Sequence, residues 1–178
     1  RELRADETAE SIKQQPAIAA TREAYKRCGK DPSRYRPSAE ALRRRLMRGL
    51  ELYQIDTLVD LINLVSLRTG YSIGGFDADK IQGDSLELGI GRAEEPFEGI
   101  GRGTLNIEGL PVYRDRAGGI GTPTSDNERT KMGLETRRIL AIVNGYNGRE
   151  GLAEAAGMIQ ELLRKYADSD GGTILYFE

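Results

Sequence analysis

The chain of 178 residues contains no histidine, and Cys28 is its single cysteine. The absence of histidine excludes the commonest general base, the usual Ser-His and Cys-His nucleophile pairs and most zinc sites. A single cysteine excludes a disulfide within the chain and is typical of a reducing compartment. Cys28 itself has two interpretations, a reactive thiol or an inert small apolar residue. Any catalysis must therefore use carboxylates, hydroxyls, backbone N–H groups or the substrate itself.

Long apolar runs are also missing, so no segment is predicted to cross a bilayer. Hydrophobic residues make up 38% of the chain and charged residues 30%, a balance typical of a soluble globular domain. The glycine cluster "GIGRG" at 99–103 is not a dinucleotide fingerprint, because no helical pattern follows it. We therefore expect a cytoplasmic protein with no membrane partner, no metal and no cofactor.

The net charge of −2 hides an uneven distribution. Residues 1–49 hold 13 of the 26 bases against 7 of the 28 acids, a net charge of +6, and the rest of the chain carries −8. A basic N-terminal third is typical of a surface that meets a polyanion, or of arginine-rich helices that face solvent. The arginines predicted to contact RNA phosphates are Arg34, Arg36, Arg43, Arg44, Arg45 and Arg48.

Two helical patterns occupy the basic region. The segment 5–28 predicts a helix that is broken at Pro16, with Gly29 as its terminator. Ser38 is predicted to cap a second helix, which ends at Gly49. Together these patterns give the first part of the chain an all-helical character.

The segment 54–70 gives the clearest helical pattern. Its apolar residues recur at the spacing of one helix face, and Gly70 is placed to end it. That face comprises Leu58, Leu61, Ile62 and Val65. Asn63 lies just off the apolar stripe, either as a surface residue or facing a cleft at its edge.

After residue 70 short alternating runs and glycine turns replace the helical patterns. The runs "SLELGIG", "TLNIEG" and "PVYRD" predict short strands, and 137–145 predicts a buried strand. A helix is expected over 149–168, and the closing "GGTILYFE" is expected to form a last strand. The sequence thus predicts a single α+β domain over 1–178, with N-terminal helices, a mixed or antiparallel sheet region and a C-terminal helix packed on it.

The stretch "GGFDADKIQGD" at 74–84 allows a tight turn, a metal loop or a ligand pocket. Its acids Asp77, Asp79 and Asp84 do not match the spacing of a calcium loop. We predict instead that Phe76 anchors the core and that Asp77 fixes a turn by local hydrogen bonds.

The stretch 118–138 is rich in hydroxyl, acidic and basic side chains. On chemistry alone it is equally an ordinary exposed loop or a functional one, because long structured loops often carry function.

Residues 55–84, "IDTLVDLINLVSLRTGYSIGGFDADKIQGD", resemble the tRNA-editing domain of the phenylalanyl-tRNA synthetase beta chain. The resemblance rests on order and spacing and covers about 40–145, which leaves 1–37 as a basic helical N-terminal extension. The stretches "AGGIG" (117–121) and "ETRRILAIV" (135–143) match the later course of the family. The matching positions in the first stretch are Asp60, Asn63, Gly70, Phe76, Asp77, Asp79, Ile81 and Gly83. Nothing resembles the synthetase's other modules, so we expect a free-standing copy.

The resemblance implies a pocket that receives the 3′ end of a misacylated tRNA and hydrolyses the ester, in the family tyrosine on phenylalanine tRNA. It implies that Asn63 and Thr122 position water or the ribose, and that backbone N–H groups stabilise the oxyanion. The implied substrate-binding residues are Gly74, Gly75, Gly118, Gly119, Asp126, Glu128, Arg129 and Thr130.

The sequence departs from the family pattern at two places. The family commonly carries a histidine just before the phenylalanine-aspartate pair, and here that position is Gly74. The loop that carries the family's tyrosine-reading glutamate is replaced by "TPTSDNERTK", with Asp126 and Glu128 as substitutes. Two alternatives to a hydrolase acting in trans therefore stay open. One is a non-catalytic module that binds RNA or an amino acid, and the other is a purely structural domain without a ligand-sized cleft.

Overall fold

The helical pattern at the N-terminus is interrupted at its proline, as predicted. The computed structural model describes residues 7–178 and has α1 over Ala9–Gln14 and α2 over Pro16–Arg27. Pro16 occupies the first helical position of α2, where a missing N–H costs nothing. The side chain of Gln15 accepts a hydrogen bond from the Ile18 N–H at 2.9 Å and so caps α2. The predicted helical residues 5 and 6 lie outside the described part.

The third helix, α3, spans Ser38–Met47, but the predicted cap at Ser38 is wrong. Pro37 precedes the helix in the cap position, and no side chain caps it. The Ser38 N–H donates instead to the Pro123 carbonyl at 2.8 Å. A tertiary contact thus satisfies the first N–H group of α3, which has no acceptor within the helix.

A buried ion network joins α2 to α3. Glu40 has no exposed surface, and its carboxylate accepts from Arg22 and from Arg44, each at 2.8 Å. Removing either arginine would leave buried charge without its partner, which is costly in a protein interior. The network fixes the relative position of the two basic helices.

The helix predicted over 54–70 is confirmed as α4, Thr57–Thr69. Asp56 caps its N-terminus, and Gly70 ends it in the left-handed conformation at φ 78°. It packs against the C-terminal helix α5, Leu152–Ala167, which the sequence also predicts. Within residues 7–178 we find no helix with the length and hydrophobicity that a membrane span requires.

The strands form three small antiparallel groups. In chain order they are β1 (Ser72–Asp77), β2 (Glu87–Ile90), β3 (Glu98–Gly99), β4 (Gly103–Thr104), β5 (Pro111–Asp115), β6 (Gly118–Gly121) and β7 (Ile139–Asn144). β1 pairs with β7, β5 lies between β2 and β6, and β3 pairs with β4. The predicted α+β class, with helices before the sheet region and a helix after it, is confirmed.

The pair β1–β7 carries the main core. Every residue of β1 is buried, and α4 and α5 pack against the pair. β7 is only partly buried over most of its length, whereas the sequence predicted a buried strand. A single neighbouring strand and two helices do not cover both of its faces.

Two further strand predictions are wrong. Of the run "TLNIEG" only Thr104 lies in a strand, at the end of β4, and the closing "GGTILYFE" has no regular structure. Positive φ angles at Gly171 and Gly172 turn the chain after α5, and the Gln160 side chain donates to the Gly171 carbonyl. The end of the chain therefore runs without a strand partner and leaves Phe177 87% exposed.

Candidate active site around a glycine-walled carboxyl group

The glycine pair of the "GGFDAD" stretch lies in the middle of β1 rather than in a turn. Gly74 is opposite Ile142 of β7, and Gly75 is opposite Ala141. The turn begins only at Asp77, whose carboxylate accepts from the Asp79 N–H at 3.0 Å. Phe76 is 1% exposed. The predicted roles of Phe76 as a core anchor and Asp77 as a turn former are therefore confirmed.

The space beside Gly74 is filled by two other side chains of this protein. A Cβ atom on Gly74 would lie 2.8 Å from the Phe76 ring and 3.2 Å from Oδ1 of Asp126. A Cβ atom on Gly121, at the end of β6, would lie 2.5 Å from the same ring and 2.9 Å from the same oxygen. Glycine at both positions thus lets the ring and the carboxyl group enter between the strands.

The Asp126 residue is partly buried, and its carboxyl group lies between the two glycines with no cationic partner among the described residues. Its Oδ2 accepts one hydrogen bond, from the Gly75 N–H at 3.2 Å. Burial raises the pKa of Asp126 to about 7, and the hydrogen bond from Gly75 offsets only part of that rise. A carboxyl group with a pKa near neutrality can both accept and return a proton at physiological pH.

Thr122 begins the turn that leads to Asp126. Its hydroxyl oxygen accepts from the N–H groups of Thr124 and Ser125 and donates to the Ser125 carbonyl. Thr122 is only 4% exposed. In this conformation its hydroxyl is fully used by the turn, so its predicted role with water or ribose requires the turn to open.

Hydrogen bonds tie this turn to the basic helices. The Thr124 hydroxyl contacts the Tyr25 hydroxyl of α2 at 2.8 Å and donates to the Tyr35 carbonyl at 3.0 Å. The Ser38 N–H at the start of α3 donates to the Pro123 carbonyl. The segment before Asp126 is therefore anchored to α2, to the start of α3 and to the connector between them, which carries Arg34 and Arg36.

The predicted binding residues on β6 and just after it serve mainly to hold the loop. The Arg129 guanidinium donates to both oxygens of Asp115 at 2.8 and 2.9 Å and lies 3.5 Å from the Gly118 carbonyl. Burial opposes ionisation of Asp115, but hydrogen bonds from Arg129 and from backbone N–H groups outweigh it and lower the pKa of Asp115 to about 2. The Gly119 carbonyl accepts from the Asn127 side chain at 3.0 Å.

The remaining predicted residues differ in whether their side chains already have hydrogen-bond partners. Glu128 pairs with Lys131 and accepts from the Gly101 N–H. Thr130 is fully buried, and its hydroxyl has no hydrogen-bond partner within residues 7–178. Asn63 is partly buried on α4, and its side chain makes no hydrogen bond to any described residue. Thr130 and Asn63 thus keep polar groups that a ligand or water can use.

The structure divides the predicted RNA-binding arginines into two groups. Arg43 is buried and bonds to Glu7 and the Leu67 carbonyl, and Arg44 belongs to the Glu40 network. Arg45 donates to the Glu51 carbonyl and lies 3.8 Å from the centre of the Tyr53 ring. The other three, Arg34, Arg36 and Arg48, form neither an ion pair nor a side-chain hydrogen bond with any described residue. Of the six predicted arginines, only these three have guanidinium groups left for phosphate.

Two surface cavities, of about 470 and 210 Å³, flank the segment 83–85. Neither is lined by a residue predicted to bind the aminoacyl end of tRNA. In this conformation the glycine-walled site is instead occupied by Phe76 and Asp126. Ligand entry there requires the Asp126 side chain to move.

Sequence reasoning missed two parts of this arrangement. It predicted Asp126 as a binding residue but not the position of its carboxyl group between glycines of two separate strands, because nothing local indicates that contact. It also missed Asp115, which holds Arg129 and accepts from the N–H groups of Ala117 and Gly118. An aspartate followed by an Ala-Gly-Gly turn was the available signal for Asp115.

Comparison with known proteins agrees with the resemblance seen in the sequence. No curated protein matches the chain. The model of the B3/4 domain family matches residues 20–164, which extends the similarity beyond 40–145 at both ends. This match covers most of the 178 residues, including α3, α4, all seven strands and most of α2 and α5. The chain therefore belongs to the B3/4 domain family, a domain found in the phenylalanyl-tRNA synthetase beta chain and in related proteins.

Proposed function

We propose that this protein is a B3/4 domain that binds the aminoacylated 3′ end of a tRNA and hydrolyses the ester of a mischarged amino acid in trans. Family membership supports the link to tRNA. The hydrolytic part rests on one observation, the Asp126 carboxyl group between two glycines, which is held only by the Gly75 N–H and has a pKa of about 7. We further propose that the chain is a single domain and that it acts on aminoacyl-tRNA in the cytoplasm.

The proposed reaction uses Asp126 as the general base. When the ester enters, its carbonyl oxygen takes the Gly75 N–H from the Asp126 carboxylate. The freed carboxylate accepts a proton from a water molecule, whose oxygen attacks the ester carbon. The negative charge that develops on the carbonyl oxygen is stabilised by the Gly75 N–H. The bond to the ribose oxygen then breaks, and that oxygen takes the proton back from Asp126.

Asn63 and Thr130 complete the proposed site. The amide of Asn63 has hydrogen-bonding capacity to hold the ribose or the water, and the Thr130 hydroxyl is unpaired among the described residues. Glu128 and Arg129 lie in the loop that has to move for the ester to enter, and Gly118 and Gly119 form its β6 edge. We propose that the side chain of the esterified amino acid occupies the space that the Asp126 side chain vacates when it moves.

Hydrolysis is tested by incubating the purified protein with a panel of mischarged tRNAs carrying labelled amino acids, including tyrosine on phenylalanine tRNA. We expect release of at least one amino acid at a rate well above spontaneous deacylation. Correctly charged phenylalanine tRNA is the specificity control. A protein that binds tRNA but releases no amino acid from any member of the panel would contradict the hydrolytic function.

That contradictory result would favour the second candidate, a non-catalytic module that binds RNA or an amino acid. Two features favour this candidate. The Thr122 hydroxyl makes all its hydrogen bonds within its own turn. Neither surface cavity includes a residue of the glycine-walled site. Such a module binds without turnover. Equilibrium binding of uncharged and charged tRNA, measured beside the deacylation assay, therefore separates the two functions.

Replacing Arg34 or Arg36 by alanine is expected to weaken tRNA binding more than replacing Arg164 on the distant part of α5. Each phosphate contact that is lost lowers by about one the steepness of the plot of log binding constant against log salt concentration. Filter binding or anisotropy at several salt concentrations measures this slope. Alanine at Arg43 or Arg44 should instead lower thermal stability, because both are held in ion pairs. Equal binding losses for Arg36 and Arg164 would contradict the proposed surface.

A further inference from the structure

The strand β2 leaves one of its edges without a partner among residues 7–178. It lies at the end of the three-stranded sheet, with β5 on one side only. Its outer part also exposes apolar side chains: Leu88 is 55% exposed and Ile90 is 49% exposed. An open strand edge with apolar residues is a template for another strand, and soluble proteins usually block it.

The direction of the backbone groups on β2 follows from its pairing with β5. The Gly91 N–H donates to the Leu110 carbonyl, and the Gly91 carbonyl accepts from the Gly109 N–H. In an antiparallel ladder alternate residues point to the same side. Gly89 and Glu87 therefore direct their N–H and C=O groups toward β5 as well. The intervening residue Ile90 stands opposite Pro111, which has no N–H to offer.

It follows that Leu88 and Ile90 direct their N–H and C=O groups toward the open edge, where the Ile90 carbonyl already accepts one hydrogen bond from the Arg114 guanidinium at 2.9 Å and keeps a second lone pair. Leu86, which precedes β2 by one residue, continues the same alternation. These three residues offer alternating donors and acceptors, as an antiparallel partner strand requires. Their side chains lie on one face, where they form an apolar stripe.

The stripe is self-complementary. If a second copy of β2 runs antiparallel with the two-fold axis at Leu88, then Leu88 faces Leu88 and Leu86 faces Ile90. On the other face Glu87 meets Gly89, over which the Arg114 guanidinium lies, so a carboxylate meets a cation and no carboxylate opposes a carboxylate. A two-fold axis at Glu87 would instead oppose two like charges.

We propose that two copies of this chain associate through β2, antiparallel about Leu88, to form one continuous six-stranded sheet across the dimer. The interface is isologous, with the same residues contributed by each copy. It buries the exposed apolar side chains of Leu88 and Ile90 and satisfies the N–H and C=O groups of the open edge. The dimer does not depend on the proposed hydrolysis.

The proposal is tested by sedimentation velocity of the full chain over a dilution series. We expect the wild type to sediment at twice the mass of the chain and to dissociate on dilution. Leu88→Lys and Leu88→Glu should each sediment as monomers, because like charges then meet at the two-fold axis. An equimolar mixture of the two variants should recover the dimer. Leu134→Lys is the matched control, since Leu134 is 88% exposed and lies outside β2.

A wild type that stays monomeric at every concentration overturns the proposal. So does a Leu88→Lys variant that remains dimeric, and so does a mixture that fails to recover the dimer. Circular dichroism confirms that each variant is folded. If either Leu88 variant is unfolded, hydrogen exchange of the wild type decides: the Leu88 and Ile90 N–H groups should be protected in the dimer and lose protection on dilution. Unprotected N–H groups in a dimer contradict this interface.

Discussion

Replacing Asp126 by asparagine is expected to abolish ester hydrolysis and, at the same time, to stabilise the fold above pH 7. Asparagine keeps the shape of the side chain and an oxygen that can accept from the Gly75 N–H, but it cannot accept a proton. Losing a general base typically lowers a rate by about 10²- to 10⁴-fold. In the wild type the rate should rise with pH through about 7, where the Asp126 carboxyl group ionises.

The stability effect has the opposite sign from that of an ordinary ion-paired aspartate. An aspartate in an unfolded chain has a pKa of about 3.9, whereas burial raises the pKa of folded Asp126 to about 7. Between about pH 4 and pH 7 the folded protein therefore holds a proton that the unfolded chain has lost, so stability falls as pH rises. Asp126→Asn removes this loss of folding free energy, which amounts to about 2 to 4 kcal/mol at pH 8.

Urea unfolding of the wild type and of Asp126→Asn at pH 5 and pH 8 measures the stability effect, and deacylation across the same range measures the rate. Asp79→Asn is the matched control, because Asp79 is an exposed carboxylate that pairs with Arg138 at the surface. It should change neither the rate nor the pH dependence of stability appreciably. If Asp126→Asn hydrolyses esters at the wild-type rate, Asp126 is not the base, although the hydrolytic function itself would stand.

Replacing Gly121 by alanine is expected to destabilise the fold by about 3 kcal/mol, within the range of overpacked cores. The new methyl group would lie 2.5 Å from the Phe76 ring and 2.9 Å from the Asp126 carboxyl group. The ring cannot retreat easily because it is 1% exposed. The contact with the ring therefore costs the stability, while the Asp126 side chain is displaced from its place beside Gly121, so the variant should also lose the pH dependence of stability.

Gly157→Ala is the matched control for this substitution. Gly157 lies inside α5, and a Cβ atom there would have no neighbour within 4 Å. Alanine should stabilise this helix by about 1 kcal/mol, because glycine is a poor helix former. Denaturation midpoints of the two variants should thus shift in opposite directions. Equal stability of Gly121→Ala and the wild type would show that the ring and carboxyl group do not pack against Gly121.

The sequence was most informative where structure depends on local rules. The apolar spacing and the terminal glycine predict α4 to within a few residues, and Pro16 marks the start of α2. The strand β1 was not predicted, because two adjacent glycines favour a turn and weaken a strand. Its partner β7 lies more than sixty residues further along the chain. Pairing at such a distance leaves no local signal.

The candidate site shows the same limit. The sequence and the resemblance drew attention to Gly74, Gly75 and Asp126 but not to the contact among them. That contact depends on Phe76 and on Gly121, a residue of another strand. The closing strand prediction failed for a related reason: a β-prone composition around Leu175 forms a strand only where another strand is available to pair with it.

The hydrogen bonds that join residues 122–125 to α2 and α3 also fix the distance between Asp126 and the basic N-terminal region. They hold Asp126 at a fixed separation from Arg34 and Arg36, two of the arginines that form no ion pair with a described residue. On the proposed function, a tRNA whose phosphates contact these arginines has to reach the carboxyl group with the single-stranded end that extends beyond them. The length of that end should then decide hydrolysis: a tRNA that lacks one internal nucleotide of the single-stranded end, but keeps its aminoacylated terminal nucleotide, should bind normally and yet keep its amino acid.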